Sequence, residues 1–367
     1  MRLYCVIALP LLSCAASIPA GGADSGTEEQ AQTRHRALIG LECVPECGNA
    51  PSWQIAEETH LNFATFWISW DGSTPYSYSW SSQPDRETFA RHLAELNRRG
   101  FKIALVDTTV FMDQNHLPRE VAGKRFSDPD LINLWTRHTE EILALYADKI
   151  DFFGIGAEVE LYLGDKPDQW QDYQVFFKHG AEMIHRRFPR LKVGIIFASS
   201  SGDVSAYWKA VEPYCDYVGV NYYLPNSAFG KSPAANGLDP KSPKYFARAL
   251  DGAVQMAGAK PVMITEVGCG THPSIDSSPE LQAEFVRQFF QWLRRNEDKI
   301  VAVQWFKAID WNRETIRRQL RGQLGDIFLD HDLFMNWMAS LGLMYENGDK
   351  KPGYDIFRNE VARYLSE

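Results

Sequence analysis

Eight runs of strand-forming residues recur along this chain, with segments of helical period between them. The runs are ALIGLEC (37 to 43), LNFATFWIS (61 to 69), FKIALVD (101 to 107), IDFFGIGAE (150 to 158), KVGIIFA (192 to 198), DYVGVNYY (216 to 223), PVMITEV (261 to 267) and IVAVQWF (300 to 306). The helical period is clearest in DRETFARHLAELNRRG, where Phe89, Leu93 and Leu96 repeat on one face. There Arg98 and Arg99 suit the negative C-terminal end, and Gly100 can supply the left-handed stop. DLINLWTRHTEEILALYAD, QVFFKHGAEMIHRRFP and SPELQAEFVRQFFQWLRRN continue the pattern, and YDIFRNEVARYLSE reads as a closing helix. Strand followed by helix, repeated, implies a parallel sheet. No GxGxxG loop follows the first strand, so the expected fold is α/β, a single (β/α)8 TIM barrel over residues 37–367, more than a doubly wound sheet.

The N-terminal residues carry a different signal. MRLYCVIALPLLSCAAS places Arg2 before an apolar run too short to span a bilayer, the pattern of an export signal over residues 1–20. Two processing sites are open: LLSC, similar to a bacterial lipobox that would lipidate Cys14 and anchor the protein to a membrane, and a plain cleavage at Ala20. Residues 21–36 lack apolar content and read as a flexible tether. The expected location is outside the cytoplasm, in the periplasm or on the cell surface of a bacterium, and the expected state is a monomer. A formal net charge of −9 with no basic stretch argues against a nucleic-acid partner.

Cys43 and Cys47, in CVPEC, are spaced for a small disulfide-closed loop in an oxidising compartment. A metal site there would need further ligands, and none of the nine histidines falls at a ligand spacing. Cys215 precedes a strand and Cys269 follows one, so in a parallel barrel they lie at opposite ends.

Two of the strand runs end in glutamate, Glu158 and Glu266. In DFFGIGAE, alternation puts Phe152, Gly154, Gly156 and Glu158 on one face and Ala157 on the other; in VMITE, Val262, Ile264 and Glu266 share a face. A carboxylate directly after an apolar strand is costly unless the strand opens there to water or to a partner. Two such carboxylates on rigid strand ends are what cleavage of a glycosidic bond requires, one giving a proton and the other attacking or guiding water. Glu160 shares the parity of Glu158 and competes for the proton-donor role. Glu42, Asp107 and Asp310 also follow strands, where each reads as a sugar contact or, more simply, as a cap or loop charge. The 11 Trp and 15 Tyr include faces suited to sugar rings, with Trp67, Trp70, Trp305 and Trp311 the candidate platforms.

By count Glu158 ends the fourth strand and Glu266 the seventh. At this point the chain resembles the retaining glycoside hydrolases of clan A, most closely the small bacterial endo-β-mannanases. GIGAEVE is similar to the clan's fourth-strand segment, and ITEVG to its more specific seventh-strand motif. The resemblance implies Glu158 as acid/base and Glu266 as nucleophile. It also implies Tyr223 of VGVNYYLP as the contact to the nucleophile, by alternation from Asn221, with Tyr222 as runner-up. Trp305 is implied as floor of the central sugar subsite. Beside what the resemblance implies, Trp67, Trp311, Asn221 and Asp310 are candidate sugar contacts from their places near strand ends, with core packing the simpler reading of Trp67. The resemblance calls for a carbohydrate substrate and no metal or organic cofactor. The chain departs from most of the clan in having Ala157 where asparagine precedes the acid/base, and in lacking an arginine on the second strand. A non-catalytic glycan-binding surface lipoprotein on the same scaffold is the alternative.

Overall fold

The computed structural model describes residues 36–42, 50–70, 78–164, 166–198, 204–224, 243–320 and 329–367. The leader, the tether up to residue 35, and Cys43 and Cys47 lie outside the described residues. From Arg36 to Glu367 the chain forms one compact unit. Its barrel strands are β1 (Leu38–Leu41), β2 (Phe63–Ser69), β3 (Lys102–Phe111), β4 (Phe152–Ala157), β5 (Lys192–Ala198), β6 (Tyr217–Leu224), β7 (Val262–Cys269) and β8 (Ile300–Trp305). All eight pair in parallel with their chain neighbours, and β1 pairs with β8 in the register Leu38↔Ala302 to Leu41↔Trp305, closing the ring. The (β/α)8 barrel is the architecture expected from the alternation.

The surrounding helices are α1 (Ala50–Glu58), α2 (Gln83–Arg98), α3 (Pro129–Tyr146), α4 (Pro167–Arg187), α5 (Ser205–Val211), α6 (Pro243–Ala257), α7 (Pro279–Arg295) and α8 (Pro352–Ser366). Local chemistry sets several of their ends. Ser82, Asp128 and Ser278 accept first-turn backbone N–H groups of α2, α3 and α7, each followed by proline in the first turn. Phe89, Leu93 and Leu96 are the buried stripe of α2.

Inside the barrel the side chains stack in layers. Phe63, Ala104, Phe152, Tyr217, Met263 and Ala302 fill the layer near the strands' N-terminal ends. The Tyr217 ring lies where a side chain on Gly194 would stand, so glycine there makes room for an aromatic in the barrel axis. Above it Trp67, Val106, Ala157 and Ile196 form the layer that floors the mouth. The barrel seam is fastened at the opposite, N-terminal face, where Ala37 N–H donates to Tyr364 Oη at 2.9 Å and Arg36 Nη1 donates to the Tyr364 carbonyl at 2.6 Å.

Candidate active site

Strict alternation does not place both glutamates in the mouth; two irregularities do. In β4, Gly156 has φ +78 and the register with β5 shifts between Gly154 and Ala157. The extra residue turns Ala157 inward, against Trp67 and Val106, correcting the outward face that alternation assigns it. Glu158 then takes a left-handed conformation, φ 51, and caps the one-turn helix Val159–Leu163. In β7, Met263 faces the barrel interior while Val262 and Ile264 face the helices. Val220 pairs with Ile264, but its neighbour Asn221 pairs with Glu266, so one residue is skipped and Glu266 is swung off the helix-facing side.

The two carboxylates are held from β6. Asn221 Nδ2 donates to Glu158 Oε1 at 2.8 Å, and Asn221 Oδ1 accepts from Thr265 Oγ1 at 2.6 Å, which fixes the amide's orientation. Tyr223 Oη donates to Glu266 Oε2 at 2.5 Å. The Tyr223 ring is itself clamped edge-on, with centroids 5.0 Å from Trp337 and 5.9 Å from Phe306. Trp311, partly buried, meets Phe306 at 6.1 Å and has the Lys307 ammonium against its ring face. Glu42, at the end of β1 and 5% exposed, accepts from Gln304 Nε2 of β8 at 3.2 Å.

Electrostatics couple these acids. Removal from water pushes the Glu158 carboxyl above the usual range, against the Asn221 hydrogen bond. Glu266 is pushed well up, first by burial and then by the charge of Glu158, with Glu42 adding to it and the Tyr223 hydroxyl opposing. Two acids so coupled lose their protons as a pair, so one proton is retained where separate carboxylates would have none. Glu158 is 9% exposed and Glu266 is the wetter of the two.

No family model matches the chain, and no curated protein matches it in sequence. In three dimensions it is similar to the GH5_18 structure from Streptomyces cattleya in complex with GlcNAc, with a TM-score of 0.67 and 16% identity over 91% of this chain and 82% of that one. A glutamate-to-alanine variant of GH5_18 from the same organism, in complex with Manb1-4GlcNAc, gives 0.66 and 16% over 90% and 81%. The Ignisphaera aggregans GH53 catalytic domain gives 0.61 and 14% over 89% and 95%. The shared feature is the barrel. At these identities the likeness establishes the fold and its strand order, and the chemistry rests on the residues just described.

The structure thus brings Glu158, Glu266, Asn221, Tyr223 and Trp311 to one end of the barrel, and it corrects the placement of others. Trp305 is 0% exposed and lies outside the barrel between β8 and the helices, packed on Phe285, Phe289 and Phe357. It cannot floor a sugar subsite; Phe306, the next residue, turns toward the mouth. Asp310 is bound within the protein, its carboxylate 2.8 Å from Lys351 Nζ and accepting Gly342 N–H at 2.7 Å. Trp67 is 3% exposed and lies in the layer beneath the glutamates, and Trp70 stacks on His138 outside the barrel. Tyr222 faces Phe285 of α7. Glu160 accepts Ala198 N–H at 2.6 Å, tying the short helix to β5. Asp107 accepts Trp135 Nε1–H at 3.1 Å between β3 and α3, and burial pushes it up to about 6. Cys215 and Cys269 are free thiols, both buried. Among the described residues no group of three or more His, Cys, Asp or Glu is arranged to hold a metal ion.

Proposed function

We propose that the protein is a retaining glycoside hydrolase that cleaves β-glycosidic bonds in a polysaccharide or oligosaccharide, with Glu158 as acid/base and Glu266 as nucleophile. The observation that carries this reading is the pair itself: a buried and a partly buried carboxylate at the C-terminal ends of β4 and β7, oriented by Asn221 and Tyr223. A fold alone does not imply activity, and a binding module has no need of such a pair.

The hydrogen bonds assign the oxygens. Glu266 Oε2 is occupied by the Tyr223 hydroxyl, leaving Oε1 to attack the anomeric carbon. Glu158 Oε1 is occupied by Asn221, leaving Oε2 to carry the proton given to the departing glycosidic oxygen. The C–O bond breaks as the Glu266 ester forms; Glu158, now ionised, takes a proton from water, whose oxygen displaces Glu266 and regenerates it. The spacing this mechanism calls for is about 5 to 5.5 Å between the carboxyls. A β-mannan-like substrate is favoured by the sequence resemblance and by the Manb1-4GlcNAc held by the GH5_18 neighbour. Export, and anchoring through a lipid on Cys14, are supported by the leader pattern alone.

Azide distinguishes the two roles on an aryl β-glycoside. In Glu158→Ala it should intercept the covalent intermediate and give the β-azide; in Glu266→Ala it should attack directly and give the α-azide. The same anomer from both variants overturns the assignment. A wild-type protein that binds glycans yet cleaves none of a broad β-glycan panel overturns the enzyme reading in favour of a binding module.

A further inference from the structure

The register skip in β7 does more than place Glu266. Val220 pairs with Ile264 and Asn221 with Glu266, so Thr265 is the residue passed over, and two consecutive side chains turn to the side where β6 presents Asn221 and Tyr223. Thr265 is fully buried, and its methyl lies against β6 at Gly219, where a Cβ would come within 3.2 Å of Thr265 Cγ2. With the methyl seated there, the hydroxyl is left for Asn221, whose Oδ1 lies 2.6 Å away. A second acceptor, the Val220 carbonyl, stands at 3.3 Å, beyond the usual O–H···O range, so the hydroxyl proton goes to Asn221. An amide that accepts with Oδ1 on the Thr265 side offers Nδ2 on the other, and there it meets Glu158 Oε1 at 2.8 Å. Three strands are thereby joined in one hydrogen-bonded line, from Thr265 in β7 through Asn221 in β6 to Glu158 at the end of β4.

We propose that Thr265 is a positioning residue that decides which oxygen of Glu158 carries the catalytic proton. The inference rests on the reading of Glu158 as acid/base and deepens it. Facing an amide N–H, Oε1 is held as an acceptor, so the proton sits on Oε2. An amide turned over would present Oδ1 instead. Glu158 would then hold its proton on Oε1, donate it to Asn221, and withhold it from the departing glycosidic oxygen. The two orientations of an amide have nearly the same shape, so packing does not choose between them. The Thr265 hydroxyl does.

Thr265→Val keeps the branched shape and removes the hydroxyl; Thr265→Ala removes it with less bulk, and Thr265→Ser restores the donor. With the Glu158 proton turned toward Asn221, the loss should be greatest on leaving groups that need protonation. The ratio of kcat/KM on a dinitrophenyl β-glycoside to that on an alkyl β-glycoside should therefore rise about tenfold in Thr265→Val and Thr265→Ala, and fall back in Thr265→Ser. A threonine that only fills space would lower both values together. A ratio left unchanged while Glu158→Gln raises it overturns the proposal; a ratio unchanged in Glu158→Gln as well overturns the acid/base reading instead. The titration of Glu158 then decides the matter without substrate. It is read from the carboxyl carbon shift in full-length protein labelled with carboxyl-13C glutamate, in the Glu266→Gln background, where Glu158 titrates without its coupled partner. Among the described residues the titratable groups coupled to Glu158 are Glu266 from β7 and Tyr223 from β6, and no substitution at Thr265 alters either. The Asn221 N–H favours the ionised form of Glu158, so freeing the amide should raise the midpoint by about one pH unit, and Thr265→Ser should bring it back. A midpoint unchanged or lowered in both variants that lack the hydroxyl overturns the proposal, whether or not the protein cleaves a glycoside.

Discussion

A single hydroxyl works toward ionisation of Glu266, the proposed nucleophile. Tyr223 donates to Glu266 within a site whose burial and neighbouring charge both work against ionisation. A hydrogen bond to a charged group contributes roughly 1.5–3 kcal/mol. Tyr223→Phe should therefore lower kcat/KM by about 10- to 150-fold by the same relation. Because the lost bond favoured the carboxylate, the nucleophile's pKa rises and the acid limb of the pH profile should move to higher pH. An unmoved limb in Tyr223→Phe would mean the hydroxyl does not serve the nucleophile. Trp337 belongs at this scale too: it holds the Tyr223 ring edge-on from a helix, Asp332–Met338, more than a hundred residues further along the chain.

The strands deliver these side chains through their irregularities. Gly156 adopts φ +78, a conformation that costs other L-residues roughly 1–2 kcal/mol, and a Cβ there would overlap Tyr173 Oη and approach Val159 Cγ1 within 2.6 Å. Gly156→Ala should destabilise the protein by about 1–3 kcal/mol in urea unfolding. Activity should fall further than that loss accounts for at a temperature where the variant is still folded, because Glu158 is carried by the bulge. Full activity per folded molecule would show that the bulge does not aim Glu158.

The same irregularities bound what could be read in advance. Eight apolar, β-branched runs were legible because a buried parallel strand is apolar on both faces. Tyr223 followed from Asn221 because β6 keeps its alternation across that pair. In β4 and β7 a bulge intervenes, and nothing in GIGAE or ITE fixes which residue is skipped. Trp305 had a readable signal: Gln304 is the polar residue of an apolar run, so it marks the face toward the mouth and assigns its neighbour to the helices. Asp310 had none, since its partner Lys351 lies 41 residues away. Glu42 was ambiguous for a related reason, because its orienting contact, Gln304, is 262 residues distant.

Over the whole molecule, one buried cation joins the mouth to the last helix. Lys351 caps α8 with its side chain 0% exposed, and its ammonium reaches Asp310 beyond β8, Thr271 beyond β7 and the Ser340 carbonyl. Burial pushes Asp310 up and Lys351 down, so each holds its charge only because the other is present. Breaking such a pair from one side leaves an uncompensated charge and costs about 3–5 kcal/mol, whereas removing both partners costs much less. Lys351→Met should show the large loss in chemical denaturation, and Lys351→Met with Asp310→Leu should recover most of it. Losses that simply add would mean that the two residues stabilise the fold independently.

The seam at Tyr364 bears on how such a barrel can be handled and elaborated. Residue 37 and the end of α8 meet at the closed face, on the far side of the molecule from Glu158 and Glu266. Cargo spliced to Arg36 or to Glu367, a tag, a second catalytic module or a solid support, would hang from the blunt pole and leave the entrance clear. For the same reason a short linker from Glu367 back to Arg36 should allow the chain to be reopened at an exposed helix–strand turn on that pole without touching the entrance.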